Sequence, residues 1–362
     1  MRVHIVGTGL LGTSLGLALT GAGHEVTLAD LSPTAQRLAA DLGAGTVGEP
    51  EATDVVIVAT PPDVAGQTIL TALDRFPEAT VTDVASVKTV LLHEVREACA
   101  PGDLDRYIGS HPMAGREKSG AIAASDDLFV GRPWVICSDE DTPAARLAQI
   151  VALATDVGAA VVHLDPEFHD SSVARVSHAP QVMASLMAAQ LVDMPADGVA
   201  LAGQGLRDVT RIAASDASLW TQILAGNAAE VRDVLESIRT DLDTLISALD
   251  LEPGAIATIA QTITAGNDGY DRIPGKHGQA PQKYAEITVL IDDTPGMLGK
   301  LFADVGELGI NIEDIRIEHA TGVKLGSVEV AVVPTRQREL EEGLTSRGWW
   351  VPEAVIEHEG QE

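Results

Sequence analysis

The sequence predicts an α/β chain in three parts: a mostly parallel sheet with its helices over residues 1–165, an all-α part over 166–265 and, beyond a linker at 266–283, a small βαββαβ module over 284–362. Three observations carry this expectation. Short apolar runs alternate with helical patterns up to His163-Leu164, the signature of a parallel sheet with crossover helices. Strand patterns then stop at Pro166 and return only at Tyr284. Between Gly266 and Gln282 glycine and proline crowd together and apolar periodicity vanishes, as linkers do.

The bulk properties fit such a chain. At 362 residues two or three domains are expected. Hydrophobic residues make up 45% but aromatics only 3%, so the core must be built from Ala, Val, Leu and Ile. No uncharged apolar run approaches the roughly 18 residues of a membrane span. The N-terminus, Met1-Arg-Val-His-Ile-Val-Gly7, enters a strand at once, which leaves no room for a signal peptide. Cys99 and Cys137 form no CxxC pair and read as small core residues of a reduced, cytoplasmic protein. A net charge of -29 repels phosphates and argues against nucleic acid; a salty habitat would also account for it.

Taken in order, Val3–Val6 is a strand, Gly7-Thr8-Gly9-Leu10-Leu11-Gly12 a glycine turn, Ser14 to Thr20 a helix, and Glu25 to Ala29 a strand that ends at Asp30. Strand, GxGxxG, helix, strand and acid in this order form the Rossmann-type dinucleotide fingerprint. Gly7 permits the tight turn, Gly9 lets a pyrophosphate approach the backbone, and Gly12 lets helix and strand pack closely. The phosphates then meet the free N–H groups of the helix N-terminus. Asp30 suits the ribose hydroxyls of NAD. It would repel the 2′-phosphate of NADP by roughly 4 kcal/mol per unit charge pair at about 4 Å, and Leu31 and Ser32 offer no compensating cation. Further strands are expected at 54–60, 81–84, 107–108, 133–137 and 160–164. Ligands gather at the carboxyl ends of such strands, where Thr60, Ser86 and His111 fall. The loop Ile108–Gly120 holds His111, Arg116 and Lys118 against one acid, Glu117. In so acidic a chain that is either an anion site or a solvated turn whose histidine pairs with a carbonyl.

The second part offers His178 and Gln181, one helical turn apart, then Asp208, Arg211 and Trp220. His178 reads as a site residue or as a satisfied helical histidine, and Arg211 as a site cation or as the ion-pair partner of Asp208. His163, Asp165, His169 and Asp170 have a metal-like look, but a strand end and a helix cap explain them better, and no metal is expected. No lysine lies between Lys118 and Lys276, which weighs against a β-hydroxyacid dehydrogenase that relies on one.

In the third part, "DTPGMLGKLFADVGELGINIEDI" resembles the ACT family of amino-acid-sensing domains. The positions matching that family's ligand site are Asp293, Gly296, Met297 and Asn311. A dimerisation module without ligand is the other reading.

Over nearly its full length the chain resembles the prephenate dehydrogenases. The pieces are "GTGLLGTSL", "DVASVK", "GSHPMAGREKSG", "DPEFHD", "SHAPQ", "GLRDVTRIAASD" and "RIPGKHG"; the second and third together are far more specific than the first. The resemblance implies NAD-dependent oxidative decarboxylation of prephenate to 4-hydroxyphenylpyruvate in tyrosine synthesis. It implies a homodimer and an aromatic amino acid, tyrosine, as effector. It makes His111 the general base, with Ser86 on the same substrate hydroxyl. Glu117 would shape the pocket entrance and Arg211 grip the ring carboxylate, with His178, Gln181 and Trp220 completing the substrate set. Thr8, Leu10, Leu11 and Thr60 join the glycines and Asp30 around the cofactor. One departure stands out: the family's common "SHLPH" ends in a second histidine where this chain has Gln181, which leaves arogenate open as substrate. A different NAD oxidoreductase acting on a small anionic acid, and a non-catalytic sensor of NAD and an amino acid, are the alternatives.

Overall fold

β-Branched runs form the first sheet, and glycines and capping residues punctuate it. In the computed structural model, which describes residues 1–115, 120–138, 141–274, 283–319 and 325–352, the chain divides into two compact units, Met1–Leu242 and Asp243–Glu362. The first begins β1 (Arg2–Val6), α1 (Leu10–Gly21), β2 (Glu25–Ala29), α2 (Pro33–Asp41), β3 (Thr46–Val47), β4 (Val55–Val58), α3 (Pro62–Arg75), β5 (Thr80–Asp83), α4 (Thr89–Ala98) and β6 (Tyr107–Ile108). These strands make one parallel sheet in the order β3-β2-β1-β4-β5-β6. All four residues of β4 are buried, as expected for a strand covered on both faces. The order reverses between β1 and β4, where open α/β sheets bind their ligands.

The expected strands at 133–137 and 160–164 form, but outside that sheet. β7 (Ser110–Pro112), β8 (Pro133–Cys137) and, after α5 (Ala144–Asp156), β9 (Ala160–Leu164) make a separate sheet in which β7 runs antiparallel to β8. The chain changes sheets at Gly109. Asp83 holds both sides of the change: its carboxylate accepts from the Tyr107 hydroxyl at 2.8 Å and its carbonyl from Ser110 Oγ at 2.7 Å.

Helices follow: α6 (Pro166–Val173), a π-helical turn at Ala174–His178, α7 (Ala179–Ala189), α8 (Ala196–Val199), α9 (Gln204–Thr210), α10 (Ala217–Gly226), α11 (Ala228–Ala248) and α12 (Ala255–Tyr270). Asp165 and Asp216 cap α6 and α10 through their side chains. The stretch from Gly266 therefore starts as the end of α12 rather than as linker; residues 275–282 lie outside the described part.

The second unit holds the end of α11 and α12, followed by β10 (Ala285–Asp292), α13 (Met297–Glu307), β11 (Asp314–His319), β12 (Leu325–Val332) and α14 (Gln337–Ser346). The sheet is antiparallel, ordered β10-β12-β11. Its core joins Ile287, Val289, Leu301, Val328 and Leu340. The fourth expected strand is reduced to one bridge from Trp350 to Leu290. Pro352, two residues on, has no N–H with which to extend a ladder. No helix among the described residues is long and apolar enough to cross a membrane.

Candidate active site

The cofactor end is built by the glycine turn. Gly7 has φ +102°, and a Cβ there would come within 2.5 Å of the Ala59 carbonyl oxygen. A Cβ on Gly12 would collide with the Gly7 carbonyl, whereas one on Gly9 would meet nothing within 4 Å. Helix α1 starts there with no side-chain cap and no acid in its first turn, so its N–H groups stay available to an anion. Asp30 fastens the turn: Oδ2 accepts from the backbone N–H and the hydroxyl of Thr8 at 2.6 and 2.8 Å, and Oδ1 from the Ser32 N–H at 2.8 Å. Leu10 and Leu11 pack against the core below. Thr60 Oγ1, just past β4, is buried with no hydrogen-bond partner among the described residues. A bare helix terminus, an open approach at Gly9, an anchored carboxylate and an orphaned hydroxyl fit a dinucleotide.

His111 lies on β7 and is 8% exposed. Burial, aided by His169, Lys88 and His178, pushes its pKa well below the ordinary histidine value, so the ring is neutral. Its Nδ1 lies 2.9 Å from Nε2 of His169, and Nδ1 of His169 lies 2.7 Å from Oδ1 of Asp170. Asp170 also accepts the N–H groups of Lys88 and Thr89 at 2.9 and 2.8 Å, which caps α4. Burial alone would raise the Asp170 carboxyl, but these hydrogen bonds hold it below its usual range. The Asn227 amide nitrogen donates to the Asp170 carbonyl at 2.8 Å and sits 3.1 Å from Nδ1 of His178. His178 is buried, and burial lowers its pKa to about 4. It ends the π-helical turn, a distortion common at functional sites, and meets the Trp220 ring edge-on at 6.1 Å.

Beneath this chain, Lys88 is 1% exposed and pairs with Asp83, and its Nζ donates to the Ser110 carbonyl at 2.7 Å. It thereby holds the peptide that leads into His111. Ser86 lies half-buried just past β5. Gln181 is buried; its Oε1 accepts from the Ser215 hydroxyl and its Nε2 donates to Ser185, both at 3.4 Å. Arg211 is exposed at the start of a 3-10 turn that packs against α7, and the neighbouring Asp208 accepts from Gln204 at 2.8 Å. Glu117, with Arg116 and Lys118, falls outside the described residues.

The network thus joins His111 and His178 through His169, Asp170 and Asn227. Sequence reasoning weighed His169 and Asp170 as metal ligands or as part of a strand end and helix cap, and passed over Asn227. The HD pair in "DPEFHD" was the available signal; Asn227 gave none. Among the described residues no His, Cys, Asp and Glu group could hold a metal. In the second unit, Gly296 takes φ +92° at the N-cap of α13, Met297 packs against the core, Asp293 is exposed, and the exposed Asn311 donates to Glu313 at 2.7 Å.

Two family models match the chain: the prephenate dehydrogenase nucleotide-binding domain over residues 15–163 and the prephenate dehydrogenase dimerization domain over 165–255. A probable prephenate dehydrogenase from Streptomyces niveus is 36% identical over 95% of this chain and 98% of its own length. The prephenate dehydrogenase of Bacillus subtilis is 26% identical over 87% of each chain. Among solved structures, prephenate dehydrogenase from Aquifex aeolicus in complex with hydroxyphenyl propionate and NAD+ superposes with a TM-score of 0.65 and 27% identity, over 75% of this chain and 99% of that one. Arogenate dehydrogenase from Synechocystis gives 0.62 and 26%, over 75% and 100%.

Proposed function

The chain belongs to the prephenate dehydrogenase family, and from that premise we propose how its residues divide the work. It is an NAD-dependent oxidoreductase that converts prephenate to 4-hydroxyphenylpyruvate in tyrosine biosynthesis. NAD, when bound, supplies the acceptor for the hydride. Gly7, Thr8, Gly9, Gly12, Asp30 and Thr60 would hold it, on the fit described above.

The buried neutral imidazole of His111, braced by His169, carries this reading. His111 takes the proton of the C4 hydroxyl, with Ser86 bonded to the same oxygen. As the C–O bond gains carbonyl character, the C4 hydrogen departs with its electron pair. The bond to the ring carboxylate breaks, carbon dioxide leaves, and its electron pair makes the ring aromatic. The proton on His111 returns to the phenolic oxygen, so no net proton is consumed. Arg211 pairs with the ring carboxylate, its planar fork suited to two parallel hydrogen bonds, while His178, Gln181, Trp220 and Glu117 bound the rest of the pocket. General-base help is typically worth about 10²–10⁴-fold. His111→Asn should therefore lower kcat at least about 100-fold in an NADH-production assay, with NAD binding intact. Near-normal turnover would remove His111 as base.

Arogenate is the second reading, favoured by the neutral Gln181 and by the likeness to an arogenate dehydrogenase. NADH production from each compound separates the two. The module at 284–362 is read as an ACT domain that binds tyrosine through Asp293, Gly296, Met297 and Asn311 and lowers activity. The enzyme is read as a homodimer through the region matching the dimerization domain. Two cysteines, both free, suit a reduced, cytoplasmic setting.

A further inference from the structure

We propose that His169, Asp170 and Asn227 set opposite proton tautomers on the two site histidines, leaving His111 with a bare Nε2 and His178 with a protonated one. The His111 half rests on the reading of His111 as base; the His178 half does not.

The assignment follows from which atoms can only accept or only donate. The Asp170 carboxylate accepts, so His169 presents Nδ1–H to it across 2.7 Å. We take His169 as neutral, so that its Nε2 is bare. That nitrogen lies 2.9 Å from His111 Nδ1, and two bare nitrogens cannot bond, so His111 carries its hydrogen on Nδ1. Its Nε2 is left as the lone pair for a substrate hydroxyl. When His111 takes up a proton there, Nδ1–H still points at an acceptor, which steadies the charge.

Asn227 fixes the other ring. The Asp170 carbonyl can only accept, so the Asn227 atom 2.8 Å from it is the amide nitrogen. The same nitrogen faces His178 Nδ1 at 3.1 Å and can only donate. His178 Nδ1 is therefore the acceptor, and its hydrogen sits on Nε2. The site gains one imidazole that accepts and one that donates, both held by Asp170, one through its carboxylate and the other through its carbonyl. His169, Asp170 and Asn227 are positioning residues in this arrangement: they act through the two rings.

Long-range ¹H–¹⁵N spectra of the full-length protein labelled on histidine nitrogens test this, with His111→Asn and His178→Asn spectra supplying the assignments. The expected result is a protonated Nδ1 and bare Nε2 on His111 and the reverse on His178. The opposite pattern on either ring, or a fast average of both forms, overturns the proposal. In kinetics, His169→Leu should lower kcat at least about 10-fold while KM for prephenate and Kd for NAD stay within about twofold. His169→Gln, which can still accept from His111, should recover much of the loss. Equal kcat for His169→Leu and the unaltered enzyme would sink the relay; if His169→Leu does not fold, the unaltered protein's spectrum decides. Full turnover in His111→Asn would instead strike at the base assignment, whatever the spectrum gives.

Discussion

At the scale of single residues, burial prepares His111 for the role of base proposed above. An exposed histidine near its ordinary pKa would be partly protonated in neutral solution, and a protonated ring cannot accept the substrate's proton. His111, buried beside His169 and Lys88, has its pKa pushed well below that value. The neutral form is then complete at neutral pH and is lost only as pH falls through the lowered pKa. The acid limb of kcat/KM, which reports the free enzyme, should therefore lie below the ordinary histidine pKa of about 6.5. A limb at or above that value that disappears in His111→Asn would contradict the buried-base account. Lys88 contributes from below as a buried cation beside the ring, balanced by Asp83. Removing one partner of such a pair generally costs about 3–5 kcal/mol, so its loss acts on the fold as well as on the site.

At the scale of elements, two helix starts do different work. Helix α4 has its N-terminus closed by a carboxylate from α6, since Asp170 accepts from Lys88 and Thr89. That bond set docks the helical region onto the sheet and aims His169 at His111. Helix α1 has its N-terminus left open, and the glycines keep it so. Gly12→Ala would drive a methyl group into the Gly7 carbonyl and force the turn away from β4. The expected outcome is loss of NAD binding of at least about 10-fold, on the order of 1.4 kcal/mol, measured by titration of the folded variant. Unchanged affinity would show that the turn relaxes freely. The π-helical turn at Ala174–His178 precedes Pro180, which has no N–H to give a regular helix, and it ends on the histidine that Asn227 holds.

At the scale of the whole molecule, the second unit has its own core, from Ile287 to Trp349, and none of the catalytic candidates. The sensing role proposed for this module is tested on the whole enzyme. With full-length enzyme, tyrosine should inhibit NADH formation, and Asp293→Ala should raise the half-inhibiting concentration about 10-fold, a change of about 1.4 kcal/mol. If no aromatic amino acid alters either rate or melting temperature, the module is structural.

What the sequence determined by itself is what short-range chemistry encodes. GxGxxG, the Asp30 that follows it, the runs of β-branched residues and the break at Pro166 announce the dinucleotide sheet and the helical part, because each depends on residues within a turn or a strand of one another. The candidates His111 and Ser86 stood out by their place past strand ends and His178 and Gln181 by their one-turn spacing, while their roles came from the family resemblance. Tertiary structure alone decided the rest. It put β8 and β9 in a sheet of their own, since Asp83 ties down both Tyr107 and Ser110 and the chain parts from the first sheet there. It also brought His169 to His111 across 58 residues and Asn227 to His178 across 49. Which nitrogen of an imidazole carries its hydrogen depends on the atom that faces it in space, and no local pattern records that atom.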